Sequence, residues 1–281
     1  MAITGKVALD DSVFAELVES RMVQELRPAM TSREFIRFGT KGPSTVKSFP
    51  LWTDPGAAPA AIADTTDISS TTLADTQQSA TAQEIGFRVD ISDLIRETHP
   101  SNLYSEAGGM VGRSVAEKWE TDVADLMDGF SNVTTAASTL TTTDLLAAMS
   151  ALEQRDIPGP YVGYLDPKQT GELRQEIATT SASYEVGRPD GSLVRPFGDS
   201  GFFGTYMGLP IWQTSLVITT AGLAGGAVFN SEDALGAYEI WGNRLETQRD
   251  ASARTLEFVG TQCYGLVEID DTRGQTVKSA A

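Results

Sequence analysis

Apolar residues recur along this chain at two spacings, three to four and two, and the alternation between them marks the elements. In "DSVFAELVESRMVQELR" (11–27), Val13, Phe14, Leu17, Val18, Met22 and Leu26 fall on one helical face, with Ser12 placed to cap and Pro28 to stop it. "TVKSFPLW" (45–52) reads as a strand, and so does "EIGFRVDIS" (84–92), where Ile85, Phe87, Val89 and Ile91 alternate with Glu84, Arg88 and Asp90. The longest periodic stretch is 101–130, with Leu103, Ala107, Val111, Val115, Trp119, Val123, Leu126 and Phe130 three or four apart. It predicts a helix roughly 40 Å long, with Ser101 as its cap and Gly129 near its stop. "DLLAAMSALEQR" and "PKQTGELRQEIA" predict two more helices around the strand "YVGYLDP", with Pro167 in a first turn. After a glycine-rich polar stretch (179–205), "YMGLPIWQTSLVI" and "GAVFN" return to strand character. "AYEIWG", "RTLEFVG", "CYGLVEID" and "QTVKS" predict short, glycine-separated strands of a closing antiparallel sheet.

Between the strands at 45–52 and 84–92 lies "TDPGAAPAAIADTTDISSTTLADTQQSA" (53–80), with four aspartates and no lysine, arginine or aromatic residue. Loops in compact domains rarely exceed about 12–15 residues unless they are functional or disordered, and this one has too few large apolar side chains for a core of its own. It predicts the tip of a long hairpin, which must lie on another surface because an isolated ribbon is unstable in water.

The chain has 281 residues, 41% hydrophobic and 21% charged, an ordinary globular composition with a net charge of −17. That charge opposes phosphate binding and argues against sequence-specific nucleic-acid recognition, while leaving room for a wall along which DNA slides without sticking. The exception is local: from Arg21 to Lys47 there are six basic residues (Arg21, Arg27, Arg33, Arg37, Lys41, Lys47) against two acids. One cysteine, Cys263 in an apolar run, excludes an intramolecular disulfide framework and reads as a core residue. No signal peptide or membrane span is evident.

Candidate chemistry is sparse. The only histidine, His99, and the only cysteine leave no zinc quartet. "GDSGFFG" (198–204) echoes the nucleophile loop of trypsin-like proteases around Ser200, but a triad with His99 would require a double barrel that the long central helix contradicts. "GGMVG" (108–112) lies inside a helical pattern and reads as close helix packing rather than a phosphate turn. The pairs Asp10–Asp11 and Asp270–Asp271 read as solvated acids. No catalytic site or cofactor is expected.

The order of elements resembles the major capsid proteins of tailed bacteriophages, whose fold also occurs in encapsulin nanocompartments and in the floor of herpesvirus shells. The resemblance rests on the hairpin (45–92), the long helix (101–130), "PYVGYLDPKQTGELRQ" (160–175), "GTYMGLPIWQTS" (204–215) and "CYGLVEIDDTRGQTVKS" (263–279). It implies an α+β fold: an N-terminal arm (1–44), an extended hairpin loop (45–95), a peripheral domain with the spine helix (96–142), an axial domain (143–242) and strands returning to the peripheral domain (243–281).

The resemblance implies a non-enzymatic subunit that self-assembles as pentamers and hexamers into an icosahedral head, first a precursor and then an expanded shell around double-stranded DNA. An encapsulin-type shell around an enzyme cargo is the alternative. The implied location is the virion, assembled in the host cytoplasm without a membrane. The implied partners are a separate scaffolding protein, a portal, an optional decoration protein and DNA contacted non-specifically. The extended loop would reach over a neighbouring subunit, with the acidic tip (Asp54, Asp64, Asp67, Asp75) meeting Arg33, Arg37, Lys41 and Lys47. Some relatives crosslink through a lysine in this loop; here none occurs between Lys47 and Lys118, so no such crosslink is expected.

Overall fold

The computed structural model describes residues 31–53, 74–98, 103–179, 202–216 and 223–280, together with Ser70 and Thr72. The helix expected at 11–27, most of the 53–73 segment, His99 and Ser200 lie outside the described residues.

The expected spine is a helix, α2 (Leu103–Asp128), preceded by a short helix, α1 (Asp93–Thr98). Ala107, Val111, Val115, Trp119, Val123 and Met127 form its buried stripe, the spacing that puts successive apolar groups on one face. Gly108, Gly109 and Gly112 sit within this helix and are buried, in keeping with a packing role. Beyond its end the Gly129 amide donates to the Leu126 carbonyl (3.1 Å) and Phe130 turns into the core.

Two sheets flank this helix. The first has the order β1 (Arg37–Phe38), β10 (Leu235–Asp250), β11 (Thr255–Glu268), β4 (Gln83–Ser92). The second has the order β5 (Val133–Thr135), β12 (Gly274–Ala280), β9 (Leu223–Asn230), β6 (Tyr161–Leu165), β8 (Leu209–Gln213), β7 (Phe202–Tyr206). Val115, Trp119 and Val123 of the spine pack with Tyr164 and Phe229 of the second sheet and Leu235 and Tyr264 of the first, so one core joins both. Helices α3 (Thr142–Glu153) and α4 (Pro167–Thr179) belong to the second sheet's unit, where Leu145, Leu152 and Leu173 meet Leu209, Val228 and Val277. A reciprocal cap starts α3: the Asp144 amide donates to the Thr141 hydroxyl and the Thr141 amide to the Asp144 carboxylate.

Two expectations need correction. The strands expected after residue 237 are fewer and longer: "AYEIWG" is the start of β10, "RTLEFVG" and "CYGLVEID" merge into β11, and only "QTVKS" stays a short strand of its own (β12), because Gly242, Gly260 and Gly265 lie inside β10 and β11 rather than between strands. At Gly265 a Cβ would lie 2.3 Å from the Thr81 carbonyl oxygen, so this glycine permits another strand to cross closely. That strand is the second correction. The return arm of the hairpin is β3 (Ala74–Thr81), paired antiparallel with β2 (Val46–Thr53), whereas the alternating 84–92 stretch forms β4 and pairs with β11. "ADTQQSAT" carries no apolar alternation because seven of its eight residues are exposed, and the pattern that reveals half-buried strands is absent from such a segment.

Candidate assembly surface

The β2–β3 ribbon is a separate two-stranded sheet. Register assigns its faces. Lys47, Phe49 and Leu51 share one face with Ala80, Gln78 and Thr76; Val46, Ser48, Pro50 and Trp52 share the other with Thr81, Ser79, Gln77 and Asp75. The first face is seated at its base, where Phe49 and Ala80 are buried against Tyr238, Cys263 and Ile269. The Tyr238 hydroxyl fastens the approach to the ribbon, donating to the Ser44 carbonyl (2.7 Å) and accepting from the Gly42 amide (3.2 Å). The Ala82 amide closes the base by donating to the Thr45 carbonyl (2.8 Å). The second face is exposed along its length, and Trp52, opposite Asp75, is 62% exposed.

The chain ahead of the ribbon is held by a buried polar knot. A 3-10 turn, Thr31–Phe35, presents Ser32 to Glu120 of the spine. The Glu120 carboxylate accepts from the Ser32 amide (3.0 Å), the Ser32 hydroxyl (2.9 Å) and the Tyr164 hydroxyl. Trp119 Nε1 donates to Ser32 Oγ (2.9 Å). Because the Tyr164 proton goes to Glu120, the Thr31 hydroxyl is the donor in its 2.8 Å contact with Tyr164. Burial pushes the Glu120 carboxyl up, against the opposing hydrogen bonds from Tyr164, Ser32 and Thr31. Burial, followed by the charge of Glu120, pushes the Tyr164 phenol up.

The predicted basic residues divide into two groups. Arg33 makes a two-pronged contact with Glu239 (2.7 and 3.3 Å) and lies over the rings of Phe38 and Trp119, 4.9 and 5.2 Å from their centroids. Burial alone would raise the Glu239 carboxyl, but hydrogen bonds from Arg33 and Gln262 and the charge of Arg33 outweigh it and hold it low. Arg37 reaches Asp233 (2.6 Å), which Arg273 also contacts (3.2 Å). These two arginines are engaged within the subunit. Lys41 is exposed, and Lys47 donates to the Thr40 hydroxyl (3.1 Å); neither forms an ion pair among the described residues. Of the four acids, Asp75 is exposed on β3, and Asp54, Asp64 and Asp67 lie outside the described residues.

Sequence reasoning missed Trp52, Glu120 and Glu268. Trp52 could have been noticed as the only tryptophan in a stretch bound for an exposed ribbon; Glu120 occupies the apolar face of the spine beside Trp119, a recognisable break in the pattern. Glu268 has no such signal. It lies near the end of α2 and beside the turn that carries Asp270 and Asp271, and burial followed by the charge of Asp271 pushes its carboxyl up to about 7. Among the described residues no group of three His, Cys, Asp or Glu side chains is arranged to hold a metal, and no helix is long and apolar enough to cross a membrane.

The phage capsid protein family matches residues 75–276, most of the chain. The chain belongs to that family. It is a structural, non-enzymatic capsid protein, and its place is the virion shell, into which many copies assemble. No curated protein matches this capsid protein by sequence. Among solved structures, it superposes on the Mycobacterium phage Che8 protein with a TM-score of 0.68 at 14% identity, covering 88% of this chain and 90% of the other. The capsid of cyanophage P-SCSP1u gives 0.65 at 14% identity, with coverages of 88% and 87%. The holo-SrpI encapsulin complex from Synechococcus elongatus PCC 7942 gives 0.63 at 13% identity, with coverages of 90% and 88%. At these identities the likeness concerns the fold.

Proposed function

We propose that this capsid protein forms the icosahedral head of a tailed phage from pentamers and hexamers, as a precursor shell that expands around double-stranded DNA. Assembly in the host cytoplasm with a separate scaffolding protein, a portal and an optional decoration protein belongs to the same reading. So does the division into arm (1–44), extended loop (45–95), spine region (96–142), axial domain (143–242) and returning strands (243–281). The observation that carries it is the capsid-family match over 75–276. The ribbon adds support: two strands with one face open to solvent lack the burial that stabilises a sheet, and a neighbouring subunit supplies it. The net charge of −17 suits non-specific contact with DNA that must move during packaging.

The acidic loop (Asp54, Asp64, Asp67, Asp75) meets basic residues of a neighbour. Lys41 and Lys47 are the favoured partners, since Arg33 and Arg37 already hold Glu239 and Asp233. Exposed pairs contribute about 0.2–1 kcal/mol each and chiefly set register. Reversing Asp64 and Asp67 together to lysine should impair assembly; normal shells from that variant would remove the pairing.

The encapsulin-type superposition supports a second reading, a shell around an enzyme cargo. Nuclease-treated shells from infected cells separate the two. Protected double-stranded DNA supports the phage head, and a stoichiometric protein cargo without DNA supports the compartment.

A further inference from the structure

We propose that a bulge in β10 holds an internal water site, at which at least one ordered water molecule bridges the side-chain amides of Asn243 and Gln262. The site lies inside one subunit and does not depend on the assembly reading above.

Register brings the two amides together. Strands β10 and β11 pair Trp241 with Cys263 and Arg244 with Thr261, so Gly242 and Asn243 both stand opposite Gln262, the two-against-one arrangement of a bulge. Side chains two residues apart along a strand share a face. Gln262 therefore shares the face of Tyr264, whose ring centroid is 4.6 Å from that of Trp119 on the spine. Asn243 shares the face of Leu245, which packs with Phe258 and with Tyr104 of the spine. Both amides thus lie between the first sheet and the spine helix.

The protein's own groups do not meet the polar demand there. Gln262 Nε2 donates to Glu239 (2.9 Å), which also accepts from Arg33. That bond fixes the orientation of the Gln262 amide and leaves Oε1 free to accept. Gln262 is 1% exposed, and its Oε1 has no hydrogen-bond partner among the described residues. Both polar atoms of Asn243, Oδ1 and Nδ2, are likewise buried and unpartnered among those residues. Trp241 Nε1 is also unpartnered, but it sits on the opposite face with Cys263 and does not belong to the site. Buried polar groups are almost always paired, and where the protein supplies no partner bound water does.

Glycines leave the room. On the spine-facing side of β11 the position next to Gln262 is Gly260, and at Gly242 a Cβ would meet Glu239 Oε1 at 3.5 Å, an ordinary contact. The side chains across from Gln262 and Gly260 on these strands, Ile85, Phe87 and Leu245, are apolar and offer no hydrogen bond. A water at this place donates to Gln262 Oε1 and accepts from Asn243 Nδ2, and its second hydrogen serves Asn243 Oδ1 through a second water. Arg33, Glu239, Gln262, water and Asn243 then form one polar chain from the arm to the bulge.

A high-resolution map, from shells or from crystals of the dissociated subunit, tests the site. The expected result is a water peak within about 3.2 Å of both Gln262 Oε1 and the Asn243 amide. Ordered side chains with no such peak, or the two amides bonded directly to each other, would overturn the proposal. Asn243→Leu should abolish the peak, and Asn243→Ser, whose hydroxyl still binds water, should keep it. A peak that survives Asn243→Leu unchanged would overturn the bridge. Where no map resolves waters, or Asn243→Leu does not fold, dipolar magnetisation transfer from water to the Asn243 side-chain amide of the isotope-labelled wild-type subunit decides. Transfer of the sign seen between fixed protons supports a resident water, and its absence would overturn the site.

Discussion

Ser32 and Glu120, 88 positions apart, meet through two hydrogen bonds inside the protein, the serine amide and hydroxyl both donating to one carboxylate oxygen. The contact ties the segment that leaves the N-terminal arm to the middle of the spine. Tyr164 adds β6 to the same carboxylate, so three remote parts of the chain share one acceptor.

Every neighbour that contacts the Glu120 carboxylate is a donor, so a carboxylate suits the site and an alanine strands three of them. Glu120→Ala should lower the unfolding free energy of the dissociated subunit by about 2–3 kcal/mol, since each buried unpaired donor costs about 1–3 kcal/mol and relief of the buried charge offsets part. Urea unfolding measures this, and a change below about 0.5 kcal/mol would contradict it.

Glu268 gives a pH dependence of known sign. Its folded carboxyl is raised to about 7, above the ordinary 4.5, so the folded state holds the proton more tightly than the unfolded chain. The resulting stability is fully present below about pH 4.5, declines as pH rises and is gone above about 7. Glu268→Gln should flatten that part of the stability profile between pH 4.5 and 7 and raise the melting temperature at pH 8. An unchanged slope in thermal melts across that window would count against it.

Arg33 and the lysines that follow it should behave differently. Arg33→Ala breaks a two-pronged pair and two ring contacts and should cost about 1–3 kcal/mol of subunit stability. Lys41→Glu and Lys47→Glu should change stability by no more than about 0.5 kcal/mol yet alter the yield of shells. Equal stability losses for all three variants would contradict that separation.

Gly265 and Gly274 tolerate no side chain for steric reasons. A Cβ would lie 2.3 Å from the Thr81 carbonyl oxygen at Gly265 and 2.3 Å from the Phe130 ring at Gly274. Alanine at either position should cost about 1–3 kcal/mol. Gly265→Ala should in addition raise amide exchange in β2 and β3, because the displaced backbone belongs to the ribbon's base.

The spine was legible because a helix buried along one face writes its period into the sequence, from Ala107 to Met127. Strand β4 was legible for the corresponding reason, whereas β6, buried at four of its five residues, showed itself as a short apolar run. Strand β3 was not: Gln77, Gln78 and Ser79 face solvent and have no apolar partner to alternate with. The length of β10 and β11 was hidden because glycines, which usually interrupt strands, lie inside them, and Gly265 there permits the close crossing of Thr81. At the candidate surface, sequence located the acidic loop and basic segment, but which cations remain uncommitted depends on Glu239 and Asp233, about 200 residues away in the chain. No local pattern encodes that distance.

Electron microscopy of the purified protein, expressed alone and then with its neighbouring genes, decides whether this chain builds a shell. The predicted result is closed polyhedral shells built from this chain. A persistent monomer under both conditions would contradict it.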